Sequence, residues 1–75
     1  MSNKKTPKEI FDFFPNFKWI TEDQDGEVCL HKSEPRIMPC YWNSDNHIEL
    51  RKSVKVDWLG LRGWENKIIA KKDLK

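Results

Sequence analysis

Apolar and polar positions alternate along much of this chain and fall at helical spacing only near its two ends. Residues 17–22 read Phe-Lys-Trp-Ile-Thr-Glu, with Phe17, Trp19 and Thr21 on one phase and Lys18, Ile20 and Glu22 on the other. A period of two predicts a strand. Asp23-Gln24-Asp25-Gly26 follows; Gly26 can take a positive φ and the Asp side chains can bond the backbone, so a tight turn is predicted. Glu27 to Lys32 is the partner strand, with Val28 and Leu30 on one face. Arg36 to Trp42 is a third extended segment, and Pro39 inside it makes it an edge strand or an irregular one. Asn43-Ser44-Asp45-Asn46 is a second turn. His47 to Arg51 alternates with Ile48 and Leu50 inward, and Val54, Val56 and Trp58 alternate with Lys55 and Asp57 in a fifth short strand.

Near the start, Thr6-Pro7-Lys8-Glu9 is a helix-opening signal. Thr6 caps, Pro7 suits the first helical position, and Glu9 completes a capping box. Ile10, Phe11, Phe13 and Phe14 follow, and Pro15 ends the helix at about Phe14. A helix of two turns does not persist alone in water, so its Ile10/Phe14 side must dock, with a sheet as the expected platform. Trp64, Ile68 and Ile69 recur at helical spacing near the end, with Lys71 and Lys72 where the helix dipole favours cations. The pattern predicts a small α+β domain over residues 6–75: a short N-terminal helix packed on an antiparallel sheet of four or five strands, then a short C-terminal helix or turn. Residues 1–5, polar and basic, form the expected disordered tail.

With 75 residues and 9.0 kDa the chain allows one domain. It buries only about 60% of its unfolded surface, so stability is marginal. No apolar run approaches the roughly 20 residues of a membrane span, and no charged-then-apolar leader opens the chain. The two cysteines, Cys29 and Cys40, are too few for a disulfide framework. A cytoplasmic protein with reduced thiols and no membrane partner is the expectation.

The net charge of +2 hides an uneven layout. Residues 19–50 carry Lys32 and Arg36 against Glu22, Asp23, Asp25, Glu27, Glu34, Asp45 and Glu49, a net −5. Residues 51–75 carry Arg51, Lys52, Lys55, Arg62, Lys67, Lys71, Lys72 and Lys75 against Asp57, Glu65 and Asp73, a net +5. Such a layout can fold into a bipolar surface that steers charged partners, although interspersed charge on a soluble domain is the simpler reading.

Candidate chemistry is sparse. Cys29, His31, Cys40 and His47 have the count for tetrahedral zinc. Their spacing does not suit it, and a buried Cys29, a free Cys40 and two solvated histidines are expected instead, with no metal and no cofactor. No glycine-rich phosphate loop is present, since Gly26, Gly60 and Gly63 each stand alone. Asp23 and Asp25 with Gly26 resemble the start of a calcium loop, but no Glu closes it. No nucleophile sits on a recognisable elbow, and no enzymatic activity is expected.

Nine aromatic residues in so small a chain exceed what its core can hide. Phe11 and Phe14 are expected inward and Phe13 outward. Tyr41 and Trp42 are adjacent in an extended segment, so they point to opposite faces, and one of the pair is expected outside. Exposed aromatics rimmed by charge mark binding surfaces. The candidate partner-binding residues are therefore Phe13, Glu22, Asp23, Asp25, Glu27, Tyr41 and Trp42. A nucleic-acid-binding alternative rests on Arg51, Lys52, Lys55 and Arg62, interleaved with Trp58 and Trp64. A homo-oligomer joined at a strand edge or aromatic patch is a third reading.

Trp19-Ile20, Asp25-Gly26, Val28, Pro35, Trp42, Ile48 and Trp64-Glu65 with Ile68 together resemble a pattern found in small bacteriophage accessory proteins. The likeness spans about residues 17–69. The aromatic N-terminal helix and Asp57-Trp58-Leu59-Gly60 depart from it. The resemblance implies a phage-encoded protein acting in the cytoplasm of a bacterial host. Such proteins commonly bind and inhibit a host or defence-system component, anti-CRISPR proteins among them. The resemblance transfers no catalytic motif.

Overall fold

The computed structural model describes residues 4–50 and 54–74. Along the chain lie β1 (Lys4–Lys5), α1 (Pro7–Phe13), β2 (Trp19–Glu22), β3 (Val28–His31), β4 (Arg36–Ile37), β5 (Trp42–Asn43), β6 (His47–Glu49), β7 (Lys55–Val56) and β8 (Ile68–Ala70). Short 3-10 turns at Trp64–Asn66 and Lys71–Asp73 flank β8. The fold is a small α+β domain built on a four-stranded antiparallel sheet in the order β6-β3-β2-β8. Among the described residues no helix is long and apolar enough to cross a membrane.

Helix α1 starts as its sequence predicts. The Thr6 hydroxyl accepts from the Glu9 amide at 3.2 Å, and the Glu9 carboxylate accepts from the Thr6 amide at 3.3 Å. These bonds satisfy two of the amides that a helix start leaves unpaired. The helix ends at Phe13, before Pro15, and the Phe14 amide closes it on the Ile10 carbonyl at 3.0 Å. The β2–β3 hairpin also follows its pattern: the Asp23 amide bonds the Glu27 carbonyl at 2.8 Å, and Gly26 takes φ +88°.

Register assigns the two faces of the sheet. Ile20 lies opposite Leu30 and Ile69, and Glu22 opposite Val28. Ile20, Val28, Leu30 and Ile69 form one floor of the core and pack with Ile10 and Phe11 of α1 and with Val56 and Trp58. Thr21 lies opposite Cys29 and Ile68, and His31 opposite Trp19 and His47, on the other face. That face is covered by the 33–46 segment, with Ser44 against His31 and Trp42 bonded to Asp23.

Several expectations are corrected. The expected short C-terminal helix or turn is the 3-10 turn Lys71–Asp73, but Ile68 and Ile69, read at helical spacing, lie in strand β8. Adjacent β-branched residues satisfy a strand buried on both faces as well as a helix, and β2 offers Thr21 to Ile68 and Ile20 to Ile69. Lys4 and Lys5, expected in the disordered tail, form β1 in parallel register with Lys55 and Val56. The 36–42 segment is not one strand but a separate hairpin, with Ile37 opposite Trp42 and Pro39-Cys40 at its tip. Ile48 is exposed on edge strand β6, whereas Leu50 packs against the core. His31, expected in solvent, is sealed at 0% exposure.

Candidate partner-binding surface

The acidic turn is held from below and from the side. The Asp25 carboxylate accepts from the Glu27 amide at 3.1 Å. Asp23 is partly buried, and its two oxygens accept from the Trp42 amide at 2.9 Å and the Cys29 thiol at 3.7 Å. Carboxylate oxygens of Asp23, Asp25 and Glu27 lie within 4.8 Å of one another. Burial raises the Asp23 carboxyl above its usual value, against the lowering effect of the Trp42 amide and the Cys29 thiol. A hydrogen bond with Glu49 raises Glu27, with burial and the neighbouring carboxylates adding to it. Burial pushes the Cys29 thiol up to about 12, and the charges of Asp23, Glu49 and Glu27 add to the effect. Cys29 therefore stays a protonated, unreactive thiol at neutral pH.

The β4–β5 hairpin is tied onto this turn. The Gln24 amide donates to the Cys40 carbonyl at 3.2 Å, and the Trp42 amide donates to Asp23. Tyr41 lies between these two tethers, 41% exposed, with Ile37 and Met38 exposed on the same hairpin. The Met38 amide closes the tip on the Tyr41 carbonyl at 2.7 Å. Ile37 lies opposite Trp42 and so on the other face of the hairpin from Tyr41, whereas Met38 and Tyr41 close the tip that the Gln24 amide ties to the acidic turn. Ile37 and Met38 escaped the sequence reading; the apolar run around Pro39 was their only signal.

Three of the candidate partner residues are placed elsewhere. Trp42 is only 7% exposed, and its indole donates to the Trp64 carbonyl at 3.1 Å, so Tyr41 is the outward member of the pair. Glu22 is held by Lys67 at 2.7 Å. Phe13 is 73% exposed but rides on α1, across the sheet from the hairpin. Of the four tryptophans, Trp42 and Trp58 are buried and Trp19 and Trp64 half-buried.

Of the alternative basic set, only Lys55 and Arg62 are among the described residues; Arg51 and Lys52 lie outside them. Lys55 and Arg62 are exposed, but Trp58 between them belongs to the core.

Between sheet and hairpin lies a polar relay that the sequence did not disclose. His31 Nε2 is 2.8 Å from Thr21 Oγ1, and His31 Nδ1 is 2.7 Å from Ser44 Oγ. His47 donates from Nδ1 to the Ser44 carbonyl at 3.0 Å. Both His31 nitrogens are committed, which removes His31 from a tetrahedral site with Cys29, Cys40 and His47. Among the described residues, the only grouping of metal-ligating side chains is the Asp23, Asp25 and Glu27 trio. Burial, with His47 nearby, lowers the His31 imidazole to about 4. A serine beside a histidine invites comparison with a nucleophile and its base. Here the third member is the Thr21 hydroxyl, which cannot stabilise an imidazolium as a carboxylate does. The relay reads as a strut that satisfies buried polar atoms and fastens the 33–46 segment to the sheet.

No family model, curated protein or solved structure matches the chain.

Proposed function

We propose that the protein is a non-enzymatic protein-binding modulator that acts through the surface formed by Tyr41, Met38 and the Asp23-Gln24-Asp25 turn. The double tether of the hairpin to the acidic turn supports this reading, because it presents an aromatic anchor and fixed carboxylates to one partner. Tyr is favoured at interface hot spots, and carboxylates at fixed spacing can stand in for phosphates. The target chemistry that follows is a basic protein surface whose own ligand is nucleic acid. The phage resemblance adds that the target is a host or defence-system protein and that the protein inhibits it.

The test is affinity capture from bacterial lysate with wild type, Tyr41→Ala and Asp25→Lys, with polyanion added to parallel samples. A specific partner recovered by wild type should be lost with either variant and displaced by the polyanion. Tyr41→Ala should weaken that complex by about 2 kcal/mol, roughly 30-fold. Equal recovery of every protein by all three chains would remove this surface from the function.

A further inference from the structure

The sheet that ends in carboxylates on one side ends in lysines on the other. Trp19 lies opposite His31 on one neighbouring strand and Ala70 on the other. The residues one step beyond that register are therefore Lys32, Lys18 and Lys71, a row across three adjacent strands. Backbone bonds hold the row together: the Lys18 amide donates to the His31 carbonyl at 2.9 Å, and the Lys71 amide to the Lys18 carbonyl at 2.8 Å. These lysines are far apart in sequence, and only strand pairing brings them to a common edge at the roughly 4.8 Å spacing of neighbouring strands.

A cleft of about 400 Å³ opens beside this row, lined by Pro15, Lys18, Trp19, Ala70, Lys71 and Lys72. Its floor is apolar, formed by Pro15, the Trp19 ring and Ala70, and its rim carries three lysines. No carboxylate lines it; Asp73 follows Lys72 in the chain, and Asp12 shares the next hollow with Lys71. The Lys72 ammonium sits 5.7 Å from the Trp19 ring centroid, and Lys32 sits 5.4 Å from that of Phe17. Trp19 is thus half-buried, and one face of its ring is covered by the ammonium of the exposed Lys72.

We infer that the Trp19 cleft binds single-stranded nucleic acid, with one base stacked on Trp19 and the flanking phosphates held by Lys18 and Lys72, while Lys71, whose ammonium donates to the Pro15 carbonyl at 3.1 Å, adds its charge at the wall. A planar apolar floor suits a base, whereas an acidic peptide would leave the ring unused. Lysines suit phosphates as point charges on flexible stems. Base stacking on an aromatic outweighs the exposed cation–π contact that Lys72 gives up, and the displaced ammonium remains within reach of a phosphate. The cleft accepts any base, since nothing on its lining reads a base edge by fixed hydrogen bonds. This site is independent of the Tyr41 surface, which lies at the carboxylate end of the same sheet.

The test is fluorescence anisotropy of labelled oligo(dT) and oligo(rU), with polyglutamate as a polyanion lacking bases. Tryptophan emission is followed in parallel, and thermal unfolding establishes that each variant is folded. Wild type should bind both oligonucleotides at low salt, with quenching of tryptophan emission. Each of Lys18→Gln and Lys72→Gln should reduce the slope of log affinity against log salt by about 0.7. Trp19→Ala should weaken binding roughly 5- to 100-fold. Trp19→Phe keeps a stacking ring and removes the reporter, so binding should survive while the quenching disappears. Tyr41→Ala should leave the affinity unchanged, which separates this site from the proposed partner surface. Absence of binding at low salt, quenching that persists in Trp19→Phe, or equally tight capture of polyglutamate would each overturn the assignment.

Discussion

The imidazole of His31 makes this domain sensitive to acid in a calculable way. In an unfolded chain it titrates near 6.5, and in the fold it is lowered to about 4, because a charged ring would be buried beside His47. Between those values the unfolded state binds the proton and the folded state does not. Stability contributed by keeping the ring neutral is therefore complete above the unfolded value and is lost as pH falls towards 4. At 1.36 kcal/mol per pKa unit, the loss at about pH 5 is about 1–2 kcal/mol, the lower figure allowing for water beyond a cover one hairpin thick. A domain of this size is stable by roughly 4–11 kcal/mol, so the loss is a substantial fraction. Asp23 and Glu27 act with the opposite sign, since their raised folded-state values make protonation favour the fold. The measurement must therefore be a difference. Urea unfolding of wild type and His31→Gln at about pH 7 and pH 5 cancels the carboxylates and leaves the imidazole, so wild type should lose about 1–2 kcal/mol more than the variant. Equal losses in the two proteins, or a His31 ring proton titrating near 6.5 by NMR in the folded protein, would refute the reasoning.

Two further outcomes follow from packing and exposure. Phe11→Ala removes a ring that is 2% exposed at the junction of α1 and the sheet, and should cost about 3–5 kcal/mol in chemical unfolding, a large share of the domain's stability. Cys40 is exposed and Cys29 is buried with its thiol pushed up to about 12, so a thiol reagent at neutral pH should label one cysteine quickly and the second only in denaturant.

The surfaces were legible only in part. The Asp23-Gln24-Asp25-Gly26 turn declares itself by its own residues, and its carboxylates remain at the surface. Tyr41 and Trp42 had to face opposite ways in an extended segment, but which one faces out depends on Asp23 and Trp64, residues 18 or more positions away from either. Sequence spacing put nucleic-acid contacts at Arg51, Lys52, Lys55 and Arg62, because those cations are close along the chain. The cations that share an aromatic cleft are Lys18, Lys71 and Lys72, which β2–β8 pairing brings together. The His31 relay left no trace in the pattern, since a histidine on a strand looks the same whether water or a serine hydroxyl lies above it.

What sequence alone determined were the features carried by neighbours along the chain. The Thr6-to-Glu9 capping box, the stop before Pro15, the Gly26 turn and the alternation of β2 and β3 each follow from a few consecutive residues. Tertiary structure decided the rest. Ile68-Ile69 became a strand because β2 offered it partners on both faces, and Trp42 was buried because a hairpin folded over the polar side of the sheet. The physical reason is the same in each case: turn and cap energies are local, whereas burial and strand pairing depend on which distant segment arrives opposite.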